Sequence, residues 1–214
     1  GAPRCASLLT APAGSTRAEM FHVMARLFEG GIEGLRRRLP ELSQMTDTIL
    51  ISGLHQQTVR SMPDGRGGTT INNFGYWPRD HRSIDEAVGS FEDLKRLTSE
   101  ARQRNVQVFM DAVPAHFGYA NNGANTNFVI GEHMYPNLSD IPARFLRSLN
   151  EIRQSDWDDM GRAASPEAVF GLWDNVFSQN RLFGLPGFNH REPEVQKHLI
   201  DSYKKFVDAG VTGF

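Results

Sequence analysis

One cysteine, Cys5, stands in a chain of 214 residues, so an intrachain disulfide is excluded and cysteine usage sets no redox compartment. No stretch approaches the roughly 18 apolar residues of a membrane span, which argues against a membrane protein of helical type. Basic residues are not in excess: 23 Lys and Arg face 25 Asp and Glu, the formal net charge is −2 and the pI is near 6.4. That balance gives no footprint for nucleic acid or an anionic surface. Internal repeats are missing, and bias is confined to the Ala-, Pro-, Ser- and Gly-rich residues 1–18, an irregular leader without the basic start and apolar core of a secretory signal. These absences leave localisation open. What remains is 39% apolar and 22% charged, ordinary globular composition with material for a buried core.

The apolar residues fall into an alternation. Met20, Phe21, His22, Val23 and Met24 predict a short buried strand. After Gly30 and Gly31, the spacing of Ile32, Leu35, Leu39 and Leu42 predicts a helix that bends at Pro40. The β-branched run Thr48 to Ser52 predicts a second strand. Residues 53–74, rich in Gly, Asn, Thr and Gln, predict one long loop. Ser90, with Asp93 three residues on, is placed to cap a helix striped by Phe91, Leu94, Leu97 and Ala101. Residues 106–110 predict a third strand that ends at Asp111.

Residues 117–184 lose the rhythm, with one weak helical pattern around 141–152. Glu192 and Pro193 then open a helix whose apolar stripe is Val195, Leu199, Ile200, Tyr203, Phe206 and Val207, with Gly210 as its stop. Residues 211–214 begin a fourth strand. Strands alternating with amphipathic helices predict an α/β fold with a parallel sheet joined by right-handed crossovers. Asp156, Asp158 and Asp159, around Trp157, are an acidic cluster expected to be a solvated face rather than a site.

Three segments carry a resemblance. They are Gly75-Tyr76-Trp77-Pro78-Arg79-Asp80 with Ser83-Ile84-Asp85 and Gly89-Ser90-Phe91-Glu92-Asp93-Leu94 behind it; Asp111-Ala112-Val113-Pro114-Ala115-His116 directly after a strand; and Leu185-Pro186-Gly187-Phe188-Asn189 before a helix. In order and spacing they resemble glycoside hydrolase family 13, the α-amylase family, across about residues 19–214. The resemblance implies a (β/α)₈ barrel of the TIM type, present here as about its first four strands, with a domain-B-like insertion after the third. The implied division is a leader at 1–18, barrel strands one to three with two helices at 19–116, the insertion at 117–184, and helix three with the start of strand four at 185–214.

The resemblance implies an α-glucan hydrolase or transglycosylase with an oligo- or polysaccharide substrate. It implies that Tyr76 stacks on a sugar, with Trp77 beside it, that His116 donates a hydrogen bond to a sugar hydroxyl, and that Asp111 orients an arginine following the Gly-Phe of strand four. That arginine and the family's three catalytic carboxylates are expected beyond Phe214, so the chain by itself is expected to be inactive. An open half-barrel would need the remaining half or a second copy to cover its edges. Ala115 stands where the family usually has an asparagine that gives calcium a carbonyl oxygen; a methyl group cannot ligate, so no calcium, other metal or cofactor is expected. Gly187 likewise replaces a common aspartate. Two other readings remain: a non-catalytic amylase-like module that binds sugar or protein, and an unrelated doubly wound domain with a different strand order.

Overall fold

The computed structural model describes residues 20–58, 61–63, 67–72, 74–119, 127–147, 153–179 and 185–214. The leader at 1–18 lies outside the described residues, as do parts of 53–74 and of 117–184. The central sheet has three parallel strands, β1 (Phe21–Met24), β2 (Thr48–Ser52) and, after four short strands outside this sheet, β7 (Gln107–Met110), in the order β1-β2-β7. His22 lies opposite Leu50, and Ile49 opposite Val108. The returning chain adds the next place beyond β7: Thr212 N–H donates to Val108 O at 2.9 Å, and Met110 N–H to Gly213 O at 3.0 Å. Neighbouring staves are thus sequential from first to fourth, which removes the doubly wound reading, since that order sets the first strand between the second and the third or fourth.

Helices cover one face of this sheet. Ile32, Leu35, Leu39, Leu94, Leu97 and Ala101 share a buried cluster with Ile49, Ile51, Val108 and Met110. The helix expected to bend at Pro40 is two helices, α1 (Gly31–Arg37) and α2 (Leu39–Met45). Proline's ring would meet the carbonyl four residues back, so the chain breaks at Arg38 and Pro40 falls in a tolerated first turn. In α3 (Phe91–Gln103) the anticipated cap forms in both directions: Ser90 Oγ accepts from Asp93 N–H at 3.2 Å, and Asp93 Oδ2 from Ser90 N–H at 2.8 Å.

The last helix, α6 (Pro193–Asp208), follows two others in the 117–184 region. It buries Val195, His198, Leu199, Ser202 and Phe206. Ile200 and Val207 are 60% and 50% exposed. The expected stripe had gathered every apolar residue, but positions 195, 199, 202 and 206 keep one helical face and 200 and 207 lie about a quarter-turn off it. Gly210 follows at φ +97°, and Thr98 Oγ1 donates to Ala209 O at 2.6 Å, tying α3 to the end of α6.

Residues 53–74 are not one loop. β3 (His55–Gln57) pairs antiparallel with β6 (Pro78–Ile84), and β4 (Ser61–Pro63) with β5 (Thr69–Ile71). The polar run His55-Gln56-Gln57 gives no apolar alternation to read. After β7 the chain leaves the sheet and returns at Thr212. The described part of that excursion holds a hairpin, β8 (Phe128–Ile130) and β9 (His133–Tyr135), then 3-10 turns at Leu138–Asp140 and Ala143–Phe145, and the helices α4 (Gln154–Arg162) and α5 (Pro166–Gln179), which were not expected; of the stretch 141–152 expected as a weak helix, residues 148–152 lie outside the described ones. A second apolar cluster, centred on Phe117, Phe128, Phe145 and Phe188, packs against Val195 and Leu199 of α6. The acidic cluster lies on α4 in local pairs: Asp156 with Arg153 at 3.1 Å, Asp159 with Arg162 at 2.8 Å and Asp158 with Gln154 at 2.9 Å.

Candidate functional site

Parallel staves present their C-terminal ends on one side, and barrel chemistry sits there. β2 ends at Ser52 and β7 at Met110, so Gly53 and Asp111 begin the loops on that side. Tyr76 and Asp111 meet there: the phenol donates to Asp111 Oδ2 at 2.6 Å. Asp111 is itself registered to β2, its N–H donating to Ile51 O at 2.9 Å. His22 Nε2 on β1 lies 3.1 Å from Ser52 Oγ. The carboxylate of Asp111 and partial burial hold the Tyr76 phenol above its ordinary range, against an opposing contact from Ser52. A neutral phenol clamped by its hydroxyl has a fixed ring plane.

Backbone contact fixes where that ring stands. Gly53 and Gly75 have φ of +78° and +76°, and a Cβ on Gly75 would fall 2.2 Å from Gly53 Cα. Left-handed backbone and close approach both require glycine here. The turn is then held by a buried polar network that sequence reasoning missed. Gln57 Oε1 accepts from Asn72 Nδ2 at 2.9 Å and from Trp77 N–H at 2.8 Å, and Gln57 Nε2 donates to His55 O at 2.6 Å. Asn72 Oδ1 accepts from Gly75 N–H at 3.1 Å. Beneath it Arg26 reaches Asp85 Oδ2 at 3.3 Å and donates through Nε to Asn72 O at 2.9 Å, while Asp85 also accepts from Gln57 N–H at 3.0 Å. The sequence signal was only a set of scattered polar residues in a polar stretch.

Trp77, half-buried, is wedged by backbone on both sides. Its carbonyl accepts from Thr58 N–H at 2.8 Å, its ring meets Tyr119 edge-on at 5.1 Å, and a Cβ on Gly118 would lie 2.5 Å from its backbone. His116 belongs to a different contact set. Its Nδ1 lies 2.9 Å from Phe117 O, and it forms an antiparallel bridge with Gly187. A carbonyl only accepts, so Nδ1 carries the hydrogen and the neutral ring offers Nε2 as an acceptor, where the resemblance implied a donor. Burial, with Arg147 nearby, holds His116 below its ordinary pKa, which favours that neutral ring. The structure joins Tyr76 to Asp111 directly; no hydrogen bond joins His116 to that pair.

Arg147 occupies the space beside Gly187. Its Nε donates to Phe188 O at 2.9 Å, and a Cβ on Gly187 would come 3.0 Å from its Cδ. Burial lowers the pKa of this guanidinium. Neighbouring Ala115 offers only its carbonyl, which accepts from Phe188 N–H at 2.9 Å. Among the described residues no group of three or more His, Cys, Asp or Glu side chains is arranged to hold a metal ion. Among the described residues no helix is long and apolar enough to cross a membrane.

A cyclomaltodextrin glucanotransferase of Klebsiella oxytoca is 26% identical over 186 residues, 85% of this chain and 26% of that protein. The chain spans between 21% and 26% of the length of the first curated relatives it matches. Among solved structures, a cyclomaltodextrin glucanotransferase with a three-domain ABC distribution superposes with TM-score 0.71 at 18% identity, over 91% of this chain and 43% of that one. The α-amylase of Geobacillus thermoleovorans, complexed with acarbose, gives TM-score 0.62 at 23% identity, over 90% and 38%. Both likenesses are of fold: a (β/α)₈ barrel of which this chain covers part. The family model for the alpha amylase catalytic domain matches residues 28–214, and the chain belongs to that family.

Proposed function

We propose that this chain supplies the sugar-facing surface of the first staves in an α-amylase-type glycoside hydrolase or transglycosylase acting on α-glucosidic bonds of α-glucans or related sugars. The observation that carries this is the 2.6 Å bond from Tyr76 to Asp111, which unites two neighbouring loops at the C-terminal side of the sheet. In this reading Asp111 sets the plane of the Tyr76 ring, and the ring gives a pyranose a flat apolar face. Trp77 borders the same turn. His116, on the loop after β7, accepts a hydrogen bond from a sugar hydroxyl through Nε2. Binding partners named for the relatives, cyclomaltodextrins and acarbose, fit such a surface. Cleavage with retention needs two carboxyl groups about 5–5.5 Å apart. We place that pair on barrel strands that follow those described, so these residues bind and orient the sugar.

Ala115 favours one second reading, a non-catalytic module that binds saccharide through the same surface. Calorimetric titration with maltooligosaccharides tests the common core of both. Tyr76→Ala should weaken binding by about 1 kcal/mol or more, the value of a lost stacking face, with little change in melting temperature. Unchanged affinity in a folded variant would remove Tyr76 from the site. Glucan turnover by a polypeptide carrying the complete barrel then separates enzyme from module.

A further inference from the structure

Three histidines lie where no charge is welcome. His55 on β3, His81 on β6 and His198 on α6 are 1%, 0% and 2% exposed. Their rings meet in a row, His55 to His81 tilted at 4.9 Å and His81 to His198 edge-on at 6.0 Å, walled by Phe117, Phe188 and Phe206. The sugar-facing reading uses none of them.

Each ring's partner fixes its proton. His81 Nε2 lies 2.9 Å from Val113 O; a carbonyl only accepts, so Nε2 carries the hydrogen and Nδ1 is a lone pair. His198 Nδ1 accepts from Gly131 N–H at 3.0 Å, so the hydrogen of His198 is on Nε2. The Tyr203 hydroxyl accepts from Val113 N–H at 2.9 Å and passes its own hydrogen to His55 Nε2 at 3.1 Å, leaving the proton of His55 on Nδ1. That Nδ1 faces the His81 backbone without a hydrogen bond of ordinary geometry. His81 Nδ1 and His198 Nε2, also buried without a partner, are an acceptor and a donor on adjoining rings. Both polar groups of Val113 are thus held, and so is the turn of the β8–β9 hairpin.

We propose that His55, His81 and His198 form an acid-released clamp, which while neutral fastens loop 111–116 and the β8–β9 hairpin to α6, and which a single added proton opens. A proton on His81 Nδ1 would create a buried donor with no acceptor in reach. A proton on His198 Nδ1 would displace Gly131 N–H. Either leaves a cation among phenylalanine rings.

The surrounding charges do not rescue it. Asp80 on β6 is the carboxylate that favours protonated His55 and His198, and it is engaged by Arg82 and Ser83. Arg82 opposes a charge on His198, Asp201 on α6 favours one, and His116 opposes one on His81. Asp111 faces Tyr203. Glu132, His133, Glu194, Lys197 and Lys205 line the cavity of about 340 Å³ beside His198. Burial dominates, holding His55 down to about 3, His198 to about 4 and His81 well below its ordinary value. An opened or unfolded histidine titrates near 6.5. The open state therefore binds more protons between about pH 4 and 6.5, and the clamp loses stability as pH falls through that window.

Nitrogen-15 NMR of the ring nitrogens, with amide exchange followed by pH, tests this on the chain itself. The clamp requires hydrogen on Nε2 of His81 and His198 and on Nδ1 of His55, with no imidazolium while the amides of Val113 and Gly131 stay protected. After correction for intrinsic exchange, those two amides should lose at least tenfold protection from pH 6.5 to 4.5, and the amides of residues 49–51 in β2 clearly less. In His198→Asn, which keeps an acceptor near the place of Nδ1 for Gly131 N–H and has no proton to gain, Gly131 should lose clearly less protection than in the wild type, while His55 and His81 still titrate. Opposite tautomers, equal loss of protection in β2, or an unaltered pH response in His198→Asn would each overturn the proposal. Should that variant not fold, the wild-type tautomers and relative protection decide.

Discussion

Replacing Gln57 with leucine isolates the network under the Tyr76 turn. The two side chains are similar in volume, so the change removes polar atoms and leaves little cavity. Three hydrogen bonds go with them: those that Gln57 Oε1 accepts from Asn72 Nδ2 and Trp77 N–H, and the one Gln57 Nε2 gives to His55 O. A typical hydrogen bond contributes about 0.5–1.5 kcal/mol net, and a buried group that loses its partner costs about 1–3 kcal/mol. Trp77 is half-buried, so water can replace part of its loss, while His55 and Asn72 lie in the interior. Leucine recovers a little through its apolar surface. The balance is a destabilisation of about 2–4 kcal/mol, read from the urea midpoint at constant m-value. Because Gln57 touches the turn rather than any proposed sugar contact, residual folded protein should also bind maltooligosaccharide more weakly, with Tyr76 less firmly placed. A loss below about 0.5 kcal/mol, within the range of a neutral surface substitution, would show that Gly53 and Gly75 position the turn without Gln57.

Gly75→Ala forces a Cβ into Gly53 at a positive φ, so expression as folded protein should fall and any folded fraction should lose about 2–4 kcal/mol by chemical denaturation. Ser90→Ala removes one half of the α3 capping box and should cost about 1 kcal/mol by the same measurement, with saccharide affinity unchanged. Phe117→Ala empties the centre of the second apolar cluster and should cost about 3–5 kcal/mol.

The staves were legible because each is a local pattern. A five-residue β-branched run bounded by Asp47 and Gly53 can hardly be anything but the strand it is, and Ser90 with Asp93 carries its cap within four residues. Where a pattern needed a partner, sequence reading went astray. Ile200 and Val207 are apolar, but a helix face is defined by what packs on it, and the buried face takes His198 and Ser202 with Val195, Leu199 and Phe206 instead. His55-Gln56-Gln57 forms a strand because β6 lies beside it, not because its residues favour one. The helix α4 was missed for a related reason: a short polar helix closed by Arg153–Asp156 and Asp159–Arg162 pairs has little apolar periodicity to find.

The same division runs through the site. Tyr76 and Asp111 were singled out because each stands in a motif that carries the family resemblance, and their contact needs only that β2 and β7 be neighbours. His116 was found as a residue, but its tautomer could not be read, since that depends on the direction of the Phe117 carbonyl. Gln57, Asn72 and Arg26 carry no motif because their partners are up to 46 residues away. Yet these silent residues hold the visible ones in place. A phenol can orient a sugar only if its turn is rigid, and that turn has two glycines in contact, where no side chain can help. Rigidity must then come from below, from buried amides and the Arg26–Asp85 ion pair. Gln57 and Asn72, which read as parts of a loose polar loop, are in the structure what ties the Tyr76 turn down.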